Sequence, residues 1–168
     1  MRREKESVWI CPRCKRQFEK RGQSHSCKDY PLYLHFKEKP EGWLLYNTFK
    51  KAVKEQVGSF KTESLKCCIH FVSPFTFAAV KIMKDKIRVS FTLGRKIRSS
   101  RIHDYIQTSA NRYICSVDIS NREEIDAALM KWIQKAIEIK NNKKPLKHHP
   151  KNNTYGKQTF LPELQHAN

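Results

Sequence analysis

From Trp43 the apolar residues Leu45, Phe49, Val53 and Val57 recur every four positions. Leu44 and Tyr46 widen that stripe, and Lys50, Lys51 and Lys54 fill the opposite side. A period near 3.6 gathers such residues on one face, so an amphipathic helix is predicted up to Gly58, a residue suited to a C-terminal stop. The period then becomes two. Leu65, Cys67, Ile69 and Phe71 alternate with Lys66, Cys68, His70 and Val72 until Pro74, which closes a strand. Phe75 to Met83 is a second apolar run. Lys84-Asp85-Lys86 reads as a turn into Ile87, Val89, Phe91 and Leu93, the clearest alternation in the chain. A polar connection, Gly94 to Asn111, leads to another strand through Tyr113, Cys115, Val117 and Ile119. Ser120-Asn121-Arg122-Glu123 then has the spacing of a capping box. It opens a helix with the stripe Ile125, Leu129, Trp132, Ile133, Ala136 and Ile137.

A helix, about four strands and a second helix predict an α+β fold with an antiparallel sheet, not a doubly wound parallel one. Residues 1–30 are polar and carry Cys and His, and form a separate small module. Residues 31–42, with Pro31, Pro40 and Gly42, read as a linker in which Tyr33-Leu34-His35-Phe36 is apolar enough to dock on a neighbour. Residues 43–140 form the α+β domain, and 141–168 a flexible basic tail. The longest apolar stretch, Phe75–Val80, is six residues, too short to span a bilayer. The start, Met-Arg-Arg-Glu-Lys-Glu-Ser, has no apolar core of a signal peptide. Six cysteines in that context point to a reducing, cytoplasmic setting with metal-bound or free thiols rather than disulfides.

The module 1–30 carries the most specific chemistry. Cys11-Pro-Arg-Cys14 is a Cys-x2-Cys knuckle, and after ten intervening residues His25-Ser-Cys27 supplies two more soft ligands. Zn2+ takes four tetrahedral N and S ligands; the knuckle places two sulfurs on one side and the second pair closes the set. In an extended stretch His25 and Cys27 point the same way. Trp9 and Phe18 stand where small fingers cover their metal. Thirty residues cannot bury a core of their own, so a structural zinc with Cys11, Cys14, His25 and Cys27 as ligands is the expectation. Four ligands leave no open position for catalysis. The alternative, a redox Cys-x-x-Cys, lacks its βαβ context. Cys67, Cys68 and Cys115, all in predicted strands, read as small buried hydrophobes, and neighbours Cys67 and Cys68 would face opposite sides.

Charge changes the picture next. The 168 residues hold 34 Lys and Arg against 16 Asp and Glu, a formal +18. The excess is uneven: nine basic against four acidic groups in 1–30, ten against three in 64–119, five against one in 141–168, and balance in 120–140. The connection holds Arg95, Lys96, Arg98 and Arg101; the finger adds Arg13, Lys15, Arg16, Lys20 and Arg21; the tail adds Lys143, Lys144 and Lys147. Arg forks match phosphate oxygens, and three basic segments suit a polyanion longer than a small ligand. The bland alternative, a solvated Lys-rich surface, is preferred for the lysines of the first helix. An anionic membrane is disfavoured because no basic amphipathic helix accompanies the charge.

No nucleotide-binding Gly-x4-Gly-Lys-Ser/Thr, zinc-protease or Gly-x-Ser-x-Gly motif is present. Asp85, Asp104 and Asp118 are the carboxylates of the strand region, in a turn, a loop and a strand end near the next helix. They show no sign of converging, so no catalytic constellation is predicted.

The set Trp9-x-Cys11-x2-Cys14-x3-Phe18, His25-Ser26-Cys27, His35-Phe36, Lys39-Pro40 and Leu45-Tyr46 resembles a bacterial family of unknown function. The likeness runs on through Lys66, Ile69, Phe71, Phe77-Ala78-Ala79-Val80, Ile87-Arg88-Val89 and Leu93 to Ile125-Asp126 and Trp132-Ile133-x2-Ala136. The family is sometimes labelled a "predicted transport protein", and its pattern has a His where this chain has Tyr113-Ile114-Cys115. The resemblance implies an α+β domain with accessory nucleic-acid work. The resulting expectation is a zinc-containing protein that binds DNA or RNA through its phosphates, alone or within a larger nucleoprotein assembly. The alternatives are a protein-interaction module docking an acidic partner and an enzyme acting on a phosphorylated ligand.

Overall fold

A computed structural model of the chain describes residues 8–142. A short hairpin, β1 (Trp9–Ile10) and β2 (Gln17–Phe18), opens the finger. One turn of 3-10 helix (Leu32–His35) leads to helix α1 (Pro40–Val57). Strands β3 (Lys61–Ser64), β4 (Ile69–Val72), β5 (Thr76–Ile82), β6 (Ile87–Leu93), β7 (Ile102–Ser109) and β8 (Arg112–Ile119) follow, then helix α2 (Ala127–Asn141). The six strands form one antiparallel sheet in the order β3-β4-β5-β6-β8-β7. The architecture is α+β, as the periodicities predict.

Alternation sorts the sheet into two faces. Ile69, Phe71, Val80, Val89, Phe91 and Val117 are buried in one cluster with Phe49 and Val53 of α1 and Leu129 and Ile133 of α2. Cross-strand pairing aligns this layer, with Val80 opposite Val89 and Val89 opposite Val117. Burying each such side chain contributes about 1.5–3 kcal/mol. The intervening residues, His70, Arg88, Ser90, Thr92, Ser116 and Asp118, stay half-exposed and form a polar open face with no helix layer among the described residues.

Helix α1 starts at Pro40, earlier than the stripe from Trp43 suggests. Proline's fixed φ suits a first helical turn. Gly42 in that turn is buried, and a Cβ there would stand 2.7 Å from Ile82 Cγ2 and 2.8 Å from the Met83 carbonyl oxygen. The segment Tyr33–Phe36 docks as expected through Phe36, which packs on the core and on the Tyr46 ring at 5.1 Å.

Two strands, β3 and β7, are not expected from the pattern, and β7 occupies nearly half of what reads as a polar connection. Both are outermost, so their side chains see little core and carry no apolar alternation; ladder pairing defines them instead. Strand β7 carries two register shifts against β8. Because β6 and β7 both pair antiparallel to β8, they run parallel to each other, and residues 94–101 must return the length of a strand. This strap runs along α2: Gly94 lies beside Ile139, and Arg101 pairs with Asp126 at the other end of the helix.

The capping box is also one residue away from its expected place. Asn121 and Glu124 exchange the two cap bonds around a 3-10 turn (Arg122–Glu124), and the Ser120 amide donates to the Glu124 carboxylate instead of capping. The Asp126 side chain caps α2, accepting from the Leu129 amide at 2.9 Å. Asp118 lies at the end of β8, one residue before its last, bonded to Arg88 Nε at 2.6 Å and Lys86 Nζ at 2.9 Å.

Candidate metal centre and basic surface

The β1–β2 hairpin turns through the Cys11–Cys14 knuckle. The Cys11 amide donates to the Arg16 carbonyl at 3.0 Å and the Lys15 amide to the Cys11 carbonyl at 2.9 Å. Lys15 takes a left-handed φ of 60° to close the turn. The ligating atoms of Cys11, Cys14, His25 and Cys27 all lie within 4.8 Å of one another. Cys11 Sγ is 3.7 Å from Cys27 Sγ, and His25 Nε2 is 3.4 Å from Cys14 Sγ and 3.3 Å from Cys27 Sγ. With Zn–S near 2.3 Å and Zn–N near 2.0 Å, tetrahedral ligand atoms stand about 3.5–3.8 Å apart. The four residues are close enough to hold a metal ion, and their donor set fits Zn2+.

Three further features support that fit. His25 Nδ1 donates to the Gln23 carbonyl at 2.8 Å, which leaves the Nε2 lone pair directed at the sulfurs. Trp9 and Phe18, paired across the hairpin, pack at 5.6 Å, and Phe18 lies 4.2 Å from the His25 ring. The thiols also pull apart in acidity. The Cys14 backbone amide is the main cause lowering Cys11 to about 6, whereas burial, then the adjoining Cys11 and Cys14 thiols, raises Cys27. Deprotonating all three thiols at this spacing requires a shared cation.

Ion pairs tie the finger to the α+β body at opposite margins. The Arg16 guanidinium donates to the Ser26 carbonyl at 2.9 Å and pairs with Asp29 at 3.1 Å and with Glu63 of β3 at 3.6 Å. Lys140 of α2 pairs with Glu19. The junction is further fixed by the Tyr30 amide, which donates to the Ser64 carbonyl at 3.3 Å. Buried His35 holds Ser64 Oγ at 3.1 Å through Nε2. Burial pushes the His35 imidazole toward its neutral form.

Between the finger and the open face lies a cleft of about 740 Å³, reaching from Phe18, Lys20 and His25 to His70, Thr92 and Arg112. None of its sheet residues was anticipated as part of a site, because strand patterning reports only which face is buried.

Residues 34–140, well over half of the chain, match a family described as a domain of unknown function, DUF5655. The chain belongs to the DUF5655 family. No curated protein and no solved structure matches it. The metal ligands lie outside the matched DUF5655 span, and the sheet face under the finger lies within it.

The expected phosphate contacts divide into groups. In the DUF5655 domain, Arg95, Lys96 and Arg98 are exposed on the strap, with Lys96 Nζ 4.8 Å above the Tyr105 ring. Arg101 is turned inward: it pairs with Asp126 at 2.7 Å, donates to the Glu124 carbonyl and stands 5.8 Å from the Trp132 ring. Arg16 is likewise committed, leaving only 10% of its side chain exposed. Arg13, Lys15, Lys20 and Arg21 are exposed on the finger. Lys143, Lys144 and Lys147 lie outside the described residues. The strap packs beside α2 on the helix-covered side, whereas the finger roofs the open face, so the cations occupy two surfaces rather than one.

The remaining cysteines correct one expectation. Cys115 is buried in β8 as anticipated, but exposed Cys67 and half-buried Cys68 sit in the β3–β4 turn with their sulfurs 3.1 Å apart. A tight turn removes the strand alternation that would have separated them. Among the described residues no helix is long and apolar enough to cross a membrane.

Proposed function

We propose that this DUF5655 protein is a zinc-stabilised, non-catalytic nucleic-acid-binding protein. In this reading it contacts mainly backbone phosphates and serves as an accessory or subunit of a nucleoprotein assembly. Zn2+ held by Cys11, Cys14, His25 and Cys27 gives the finger its shape. The observation that carries the reading is where Glu19 and Asp29, the carboxylates among the finger's described residues, go. Asp29 is taken by Arg16 and Glu19 by Lys140, both ties that hold the finger together or to the body. Arg13, Lys15, Lys20 and Arg21 remain exposed, and among the described residues no carboxylate pairs with them. Exposed cations with no carboxylate paired to them favour an external polyanion, although the Asp29 side chain itself stays exposed. Arg95, Lys96 and Arg98 on the strap form a second positive surface; Arg16 and Arg101 serve the fold.

Fluorescence anisotropy of labelled single-stranded and duplex DNA and RNA between 50 and 200 mM salt tests this. If six or more phosphates are met, affinity falls roughly 10³-fold over that range. Replacing Arg13, Lys15 and Arg21 together by Glu weakens binding at least tenfold at low salt. Binding that is indifferent to salt, or unchanged in the triple variant, refutes the reading. If a protein complex is lost on changing Arg95 and Arg98 while nucleic-acid affinity holds, the partner is an acidic protein.

A further inference from the structure

We propose that the cleft between the finger and the open face of the sheet binds a mononucleotide-sized ligand through its terminal phosphate, held by Arg112 and Lys20. A volume of about 740 Å³ suits a ligand of that size. The charge balance inside the cleft gives the ligand its sign. Arg16 is matched by Glu63, and Lys140 by Glu19. Arg112 and Lys20 also line the space, and among the described residues neither has a carboxylate partner. Two uncompensated cations match a phosphomonoester, which carries about −1.5 to −2 at neutral pH; a phosphodiester within a strand carries one charge. The site therefore differs in kind from the backbone contacts proposed for Arg13, Lys15 and Arg21 on the outer surface of the finger, and Lys20, at the cleft, is the cation the two surfaces share.

The rest of the lining suits a nucleoside. Ile114 of β8, half-buried and paired across the ladder with Thr92, offers apolar surface to the flat side of a base. Thr92, Ser109 and Ser24 present hydroxyls for a ribose. His70 turns Nδ1 to Thr76 Oγ1 at 3.4 Å, and among the described residues its Nε2 has no partner. Burial, reinforced by the nearby Arg16 charge, favours the neutral ring, able to donate or accept. A free mononucleotide and the 5′-phosphorylated end of a strand present the same chemistry. The first of these does not require that the protein bind nucleic acid at all.

Calorimetric titration of the zinc-loaded full chain with AMP, adenosine and inorganic phosphate tests the proposal. Expected are saturable AMP binding, weaker competition by phosphate, and adenosine at least tenfold weaker than AMP. Arg112→Gln lowers AMP affinity tenfold or more. Exposed Lys20→Gln lowers it severalfold, and serves alone if the circular dichroism of Arg112→Gln departs from wild type. The Arg13, Lys15 and Arg21 triple variant leaves AMP affinity unchanged, which separates this site from the outer surface. An oligonucleotide that binds tighter with a 5′-phosphate than with a 5′-hydroxyl, and displaces AMP, identifies a strand end; AMP that outcompetes it identifies the free nucleotide. No saturable AMP binding, equal affinity for adenosine, or indifference to both Arg112→Gln and Lys20→Gln overturns the proposal.

Discussion

The finger and the α+β body solve the same problem with different means. In the body, buried rings and aliphatic side chains from two helices and four strands form one cluster, with Phe49, Phe71, Ile69 and Val89 fully enclosed. In the finger, Cys11 is the one buried hydrophobic residue among the described residues, and Trp9 and Phe18 are only half covered. What the finger lacks in apolar burial, a metal ion held by Cys11, Cys14, His25 and Cys27 would supply, beside the ties to Glu63 and Lys140. The body's stability is spread over many contacts, and the finger's is concentrated in one.

Withholding metal should separate the two regions most strongly. Structural zinc contributes on the order of 10 kcal/mol of apparent folding energy to such modules. Chelation, or Cys14→Ala, should unfold the finger while the body still melts cooperatively. Timed alkylation with mass readout should then find Cys11 and Cys27 newly reactive and Cys115 still protected. Simultaneous loss of both regions would show that the finger is part of the body's cooperative unit.

A cavity in the body should have the opposite reach. Phe71 packs on Phe60 at 4.6 Å and Phe49 at 5.8 Å, so Phe71→Ala should cost about 3–5 kcal/mol in urea unfolding. Metal content should stay unchanged below the transition.

The smallest effect sharpens how the open face is held. Arg88, then Lys86, keep the Asp118 carboxyl well below the usual carboxylate range. A lowered folded value means the contribution is fully present above the unfolded value, about pH 4, and is lost as pH falls below it toward the folded value. Asp118→Asn should lower stability by about 1–3 kcal/mol at neutral pH and flatten the acid limb of the urea midpoint below about pH 4. An unchanged acid limb would assign the acid sensitivity to other carboxylates.

Some of this was readable from the sequence for a physical reason. Strands β6 and β8 are central, so one side of each is buried and alternation appears; β3 and β7 lie outermost, and their residues report solvent. The metal ligands were legible because the knuckle is local and the second pair is spaced for one face. The shift of the capping box from Ser120 to Asn121 was not, since Ser-x-x-Glu and Asn-x-x-Glu overlap and geometry chooses. The commitments of Arg16 and Arg101 depend on carboxylates far along the chain, Glu63 and Asp126. The cleft draws its lining from Arg16 to Lys140, so no local motif marks it.

The two register shifts of β7 bear on behaviour at high concentration. A strand on the rim of a sheet offers unpaired amides and carbonyls to any other extended chain. Here the ladder is interrupted at Ile102/Asp104 and Gln107/Ser109, and His103 and Asp104 are exposed near one interruption. A visiting strand would find no uninterrupted template, so this rim is guarded against runaway edge-to-edge aggregation despite the exposed Ile106.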